Sequence, residues 1–402
     1  MSTDINFAQL CACKGTMHHM AGYHNAAMTQ GSWTYAIGVN GVASALRVTL
    51  DTTVSKGRDF EHRVRVNPGD QLNLVDLPTG TPTMRTFRYG VIFESDKPRE
   101  QPLMGGYNQN IAVTSRFNLV QGYYSWDTTE SNRYQYIPTT GVIKNLYAKS
   151  ITNPPGAGKT HTVTLYKNGV ATSLAAVFGA AATTANDVDP THQVSVVAGD
   201  YVSINSVGTA GGNAMALLYG CIFQPEIDGE AIVMQRDTDT LNTTTTEYLP
   251  CVGYNAVDWS TSTAAHGGVI AGFTVKKHYL YLSGAAGATG ADGYTISIYD
   301  ALRNVAYIPL QVLGASTSAS DTTTFGYVTP YTTASQDYTV LAYRCIPTGT
   351  PNAVSTWDSF VRYLPPDKHN DYDLRNQLGG VGKNGGRIPC AKAGRRMGKR
   401  IH

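Results

Sequence analysis

The chain repeats itself. Val39-Asn40-Gly41-Val42-Ala43-Ser44-Ala45-Leu46 returns as Lys167-Asn168-Gly169-Val170-Ala171-Thr172-Ser173-Leu174, and each is followed at a similar distance by Gly-Asp, at Gly69-Asp70 and Gly199-Asp200. Both copies close on one phrase, Gly90-Val91-Ile92-Phe93 in the first and Gly220-Cys221-Ile222-Phe223 in the second. A unit of roughly 130 residues, an ordinary domain length, is therefore duplicated in tandem. A divergent third copy follows. Tyr294-Thr295-Ile296-Ser297-Ile298-Tyr299 stands where His161-Thr162-Val163-Thr164-Leu165-Tyr166 stands, Gln336-Asp337-Tyr338 matches Gly199-Asp200-Tyr201, and Phe360-Val361-Arg362-Tyr363 takes the closing position. Serial units suit a part that spans distance or covers surface better than a single-pocket enzyme.

Within a copy, short alternating runs are separated by turn chemistry. In the second, the run from Val142 to Ala148 leads through Asn153-Pro154-Pro155-Gly156 to Thr162–Tyr166, which alternates up to Asn168-Gly169. Asn-Gly between such runs is the strongest short-range hairpin signal, because both residues tolerate the positive φ of a type I′ turn. Further runs at 175–178, 192–197, 201–204 and 217–223 bring the count to about eight strands in about 120 residues, the spacing of an antiparallel sandwich of jelly-roll or immunoglobulin-like type. Composition agrees: 15% of residues are charged, while Gly (41) and Tyr (25) are plentiful, the usage of turn-rich strands rather than helices. No segment reads as a helix.

The expectation is an all-β chain of three tandem antiparallel β-sandwiches: residues 1–100 with an irregular N-terminal segment, 101–228, and a divergent 229–368, followed by an extended Gly-rich basic tail, 369–402. The first copy lacks the opening strands that Tyr123-Tyr124-Ser125-Trp126 and Gly253-Tyr254-Asn255 begin in the others. Residues 1–30 then either replace them irregularly or dock on a neighbour. Each sandwich is expected to fold on its own.

Charge is unevenly placed. From Lys383 to His402 stand seven basic residues, Lys383, Arg387, Lys392, Arg395, Arg396, Lys399 and Arg400, and no acidic one. Since the whole chain carries +2, these seven charges leave −5 on the first 382 residues. A mildly acidic body with a basic, Gly-rich end predicts an electrostatic anchor to a partner. Another protein chain is the expected partner, and nucleic acid would satisfy the same charge.

No stretch of eighteen apolar residues occurs, so no helix is expected to cross a membrane and the chain is expected to be soluble. Met1-Ser2-Thr3-Asp4-Ile5-Asn6-Phe7 carries an acid where a secretory signal is basic, and no apolar core precedes His18-His19. The six cysteines, Cys11, Cys13, Cys221, Cys251, Cys345 and Cys390, do not recur at equivalent positions as a disulfide framework would, which fits a reducing origin.

Apparent chemical motifs fail on context. Gly156-Ala157-Gly158-Lys159-Thr160 resembles the end of a phosphate-binding loop, but Asn153 stands at the first glycine's position and the segment after Thr160 alternates as a strand, so no helix N-terminus faces an anion. Cys11, Cys13, His18, His19 and His24 lie close together without zinc-site spacing, and read as buried thiols and surface imidazoles. Asp127 with Glu130, and Asp187 with Asp189, read as turn chemistry rather than as a glycosidase pair. No Gly-x-Ser-x-Gly elbow is present. No catalytic, cofactor-binding or metal residue is therefore assigned, and an enzyme is not expected. Tyrosines gather at Arg116–Tyr136 and Tyr327–Tyr343, a pattern suited to protein–protein contact and to carbohydrate stacking alike. Whether Trp33, Trp126, Trp259 and Trp357 are core or contact residues stays open at this stage.

The phrase from Pro155 to Thr172, continued by Val194-Ser195-Val196-Val197-Ala198-Gly199-Asp200, resembles β-sandwich modules of virion proteins of tailed bacteriophages, clearly over roughly 140–225, more weakly over 33–95 and 253–365, and not in the tail. The resemblance implies a non-enzymatic virion structural protein: capsid decoration (cement), or a head or tail appendage, made in the host cytoplasm and located in the virion. Its partners would be other virion proteins such as a major capsid protein, with further copies of itself in a homo-oligomer. No cofactor and no membrane are implied. Two other readings accompany it: a tail-fibre-like carbohydrate- or receptor-binding protein whose last unit stacks Tyr and Trp on sugar rings, and a self-assembling filament subunit.

Overall fold

A computed structural model describes residues 8–24, 27–83, 87–251, 259–262, 269–270, 273–301, 303–328, 338–339 and 341–364. The seven basic residues of the tail, Cys390 and Gln336-Asp337 lie outside the described residues.

The period of two seen in the sequence is realised as burial. His161, Val163 and Leu165 point into a core while Thr162 and Thr164 stay partly exposed. Such strands sort into three consecutive pairs of sheets. In the first, Ser32–Val39 lies between Val42–Leu50 and Gln71–Thr79, opposite a sheet in which Gly15–His24 lies between Lys56–Val66 and Phe87–Ser95. In the second, His161–Lys167 lies between Val170–Phe178 and Tyr201–Gly208, opposite Gly141–Ser150, Met215–Pro225 and Gln101–Ile111. In the third, Gly293–Asp300 lies between Val305–Leu313 and Leu341–Thr348, opposite Phe273–Leu282, Thr356–Tyr363 and Glu230–Asp237. The fold is all-β, and among the described residues the sheet pairings are antiparallel apart from the contact of Gly122–Tyr123 with Gly105-Gly106. Among the described residues the helical content is two single 3₁₀ turns, Glu130–Asn132 and Pro190–His192.

The repeated phrases have a common structural cause. Asn168 (φ 51°) and Gly169 (φ 77°) form the hairpin tip. The Asn168 side chain donates to Asp200 Oδ1 (2.7 Å) and accepts from Tyr201 N–H (2.9 Å), tying the tip to the Gly199-Asp200 turn. Asn40 does the same with Asp70 (2.7 Å) and Gln71 N–H (3.0 Å). The two phrases therefore recur together because each is half of one lock. A second recurrence is invisible in the sequence. The strands Gly15–His24, Gly141–Ser150 and Phe273–Leu282 each bulge at a residue with positive φ: His19 (54°), Asn145 (54°) and Lys277 (50°). Left-handed backbone costs a non-glycine residue about 1–2 kcal/mol, so its retention at one position in all three copies marks a fixed bend in the sheet.

The expected irregular start does not hold at Gly15–His24, a regular ten-residue strand in the middle of its sheet. It is buried on both faces and broken by the His19 bulge, which erases the alternation that would have announced it. Ahead of it, Ala8 and Leu10 pack on Leu218 in the second unit. There a Cβ at Gly220 would collide with the Leu10 carbonyl oxygen, which explains the glycine in that closing phrase.

The cores are not separate. Ile222 of the second unit belongs to the first hydrophobic cluster, and Ile232 and Met234 of the third belong to the second. This sharing accounts for Met215–Pro225, which is buried on nearly every residue.

Candidate functional site at the joint between the second and third sandwiches

The strand Glu230–Asp237 pairs along one edge with Thr356–Tyr363. An open second edge would leave peptide groups unpaired and invite other chains. Side-chain amides of the second unit close it instead. Gln101 accepts from Ile232 N–H (2.7 Å) and donates to Ile232 O (2.7 Å). Gln121 accepts from Met234 N–H (3.0 Å), and Gln135 donates to Met234 O (3.0 Å). Gln135 is held in turn by both backbone groups of Gln121, at 2.9 and 2.8 Å. Three glutamines thus act as a surrogate strand, while Ile232 and Met234, both 0% exposed, enter the second core.

At one end of this strand the Glu230 carboxylate, fully buried, accepts from Thr139 Oγ1 (2.7 Å) and meets Lys277 Nζ at 2.9 Å and Lys276 Nζ at 3.4 Å. Lys277 also donates to Thr139 (2.7 Å). Removing one partner from such a group leaves a buried charge uncompensated, so the cluster fixes how the two units meet.

At the other end lies an aromatic stack. Tyr136 and Tyr281 are parallel with ring centroids 3.6 Å apart, and Tyr134 lies on Trp357 at 5.2 Å. The Arg236 guanidinium sits 4.0 Å from the Trp357 ring centre. Burial lowers the Arg236 pKa to about 10, and burial together with the neighbouring tyrosines raises that of Tyr136. Beside the stack opens a cleft of about 550 Å³, walled by Asp127, Asn132, Arg133 and Tyr134 on one side and by Arg236 and Trp357 on the other.

Of the tyrosines expected to meet partners, Tyr134, Tyr136 and Tyr343 are used inside the chain, while the side chains of Tyr327, Tyr331 and Tyr338 lie outside the described residues. Tyr134 and Tyr136 fill the joint, and Tyr343 is fully buried. The tryptophans are likewise interior. Trp259 is in the third core, Trp126 and Trp33 pack on the second and first, and Trp357 is in the joint.

The dismissed motifs are placed as follows. Lys159 donates to Ala210 O (2.8 Å), and the strand His161–Lys167 follows it where a phosphate site needs a helix. Cys11 and Cys13 are buried in the first core, their thiol pKa values raised by burial, that of Cys11 to about 12. His24 meets the Tyr35 hydroxyl at 2.9 Å, and His18, His19 and His24 are buried rather than on the surface. Among the described residues no group of three metal-binding side chains forms, and Cys221, Cys251 and Cys345 are, like Cys11 and Cys13, free buried thiols. Asp127 caps Thr129 N–H and pairs with Arg133 at 3.4 Å, while Glu130 accepts from Ser203. Asp187 accepts from Ala175 N–H and pairs with His192, and Asp189 caps the turn at Thr191. Asp127 and Asp189 do turn chemistry, whereas Glu130 and Asp187 tie more distant segments together. The glutamines, Glu230 and Arg236 were not singled out from the sequence, because isolated polar residues carry no periodic signal.

No family model matches this chain, and no curated protein matches it. Among solved structures it is similar to one described as the triple jelly roll fold and turret assembly in an archaeal virus, over 87% of this chain and 78% of that chain, at 10% identity and a TM-score of 0.17.

Proposed function

We propose that the chain is a non-enzymatic structural component of a virus particle, a capsid-decorating (cement) protein or a head or tail appendage, that works by association. The observation that supports it best is the joint: a duplicated sandwich whose neighbours share a core, a surrogate strand and a buried ion cluster is built as a stiff multi-unit body. A repeated contact point accompanies it. Val42, Val170 and Val305 follow the three hairpin tips and are 69%, 67% and 39% exposed, an arrangement suited to periodic contact with a lattice or with further copies of the chain. The sequence resemblance to phage virion modules supplies the context.

In this reading the basic end, Lys383 to Arg400, anchors the chain to a partner such as a major capsid protein. Deleting residues 379–402 leaves the sandwiches folded and strongly reduces incorporation into the particle, and neutralising Arg395, Arg396, Lys399 and Arg400 together weakens attachment. Attachment of the intact chain falls with added salt, as screening shortens to about 3 Å near 1 M. Normal incorporation of the truncated chain overturns the anchor. Trp357 is covered by Tyr134 and Arg236 and Trp259 is buried, so neither tryptophan offers a free face for sugar stacking.

A further inference from the structure

The bulge common to the three units carries a charge pair in each. The residue before it is His18, Lys144 or Lys276, standing opposite Ile92, Ile222 or Val361 of the closing strand. Each faces a glutamate. Lys144 Nζ meets Glu100 at 3.0 Å, Lys276 Nζ meets Glu230 at 3.4 Å, and His18 Nε2 lies 3.5 Å from Glu94. Where the second and third units place an ammonium, the first places an imidazole, the side chain that gains and loses its charge near neutral pH.

The bulge residue differs as well: Asn145 in the second unit, Lys277 in the third, His19 in the first. His18 Nδ1 and His19 Nδ1 are hydrogen-bonded to each other. Such a bond holds one proton between two ring nitrogens, so the two rings cannot both be imidazolium while it lasts. His18 and His19 are 9% and 5% exposed, which leaves a second charge poorly screened. The charged neighbours among the described residues match one added proton and not two. From Phe87–Ser95 comes Glu94, which Arg63 also approaches at 3.8 Å, and Arg88, which is bonded to Tyr23. From Lys56–Val66 come Arg63, opposite His18 in register, and Arg58, lying over the Phe60 ring on which His19 packs at 4.8 Å. Asp59 of that strand is taken up by His62 (2.9 Å) and by the N–H of Arg47 in Val42–Leu50 (3.0 Å), and Glu61 is exposed.

We propose that the His18–His19 pair is an acid-sensitive switch that loosens the first sandwich, built at the position where the other two carry non-titrating locks. Below about pH 6.5 the unfolded segment takes up two protons and the folded pair at most one. Folded-state stability therefore falls with falling pH, by about tenfold in the equilibrium constant per pH unit once the unfolded rings are charged. Gly15–His24 is the middle strand of its sheet, so its release frees the strands on both sides. The switch is independent of whether the chain belongs to a particle.

Hydrogen exchange of the full chain, read by mass spectrometry at pH 7 and pH 5 and corrected for the intrinsic pH dependence, tests it. Protection of residues 15–24 is expected to fall by about tenfold or more relative to that of the equivalent strand, 141–150, which contains no histidine. The double variant His18→Lys with His19→Asn installs the pair found at Lys144-Asn145 and removes that difference. Should it not fold, His19→Asn alone, which takes away the ring that must share the proton, removes it too. An equal change in the two strands of the parent chain, or a difference that persists in a folded variant, overturns the proposal.

Discussion

Asn168 shows how one side chain can carry a repeat. It occupies left-handed backbone at the hairpin tip and bridges Asp200 and Tyr201 N–H. Asn168→Ala loses both bonds and adds backbone strain, so it destabilises the chain by about 1–3 kcal/mol in urea unfolding. Asn168→Gly, which keeps the backbone freedom, costs less. His161 gives a pH signature. It is 1% exposed, bonded to Ser206 Oγ at 2.6 Å, and burial lowers its pKa to about 4. Because the folded-state value, about 4, lies below the ordinary histidine value, its contribution is complete above about pH 6.5 and is lost as pH falls through 4, about 3 kcal/mol in all. Stability measured from pH 7 to 4 declines on this account, and the decline shrinks in His161→Gln; an unchanged slope in that variant contradicts the assignment. The Asn-Gly and Gly-Asp phrases were legible because each needs a particular backbone. Their bond to one another was not, since it closes across some thirty positions and no local pattern encodes it.

At the scale of the strand, the junction between units is where sequence reading ran out. Alternation located His161–Lys167 well, because one face of it is in a core and the other is partly exposed. It failed at Gly15–His24, buried on both faces and bulged. It also treated the units as separable, whereas Ile232 and Met234 belong by pairing to the third unit and by burial to the second. Two variants probe this. Met234→Ala costs about 2–5 kcal/mol, the range for emptying a core methionine site. Gln101→Ala strands the Ile232 peptide groups and costs about 1–3 kcal/mol. If the joint couples the units, both variants lower the midpoint of a single shared unfolding transition in calorimetry. Two transitions in the parent chain, only one of them moved, would show independent sandwiches.

Across the whole molecule, serially repeated sandwiches share cores and buried polar contacts, and in the proposed function this body covers or bridges a surface while the basic end attaches it. The repeat and the charge asymmetry are legible in the sequence itself. The coupling of the units is not, because it rests on contacts such as Gln135 with Met234 and Tyr136 with Tyr281, which join residues about a hundred or more positions apart. The most direct measurement is negative-stain imaging of purified particles carrying an antibody-labelled copy of this chain, before and after washing at about 1 M salt, where surface charges are screened within about 3 Å. The account predicts label at regular positions on a shell or appendage, and its loss in the wash. Label confined to the unassembled fraction, or free filaments of the chain without particles, would contradict it.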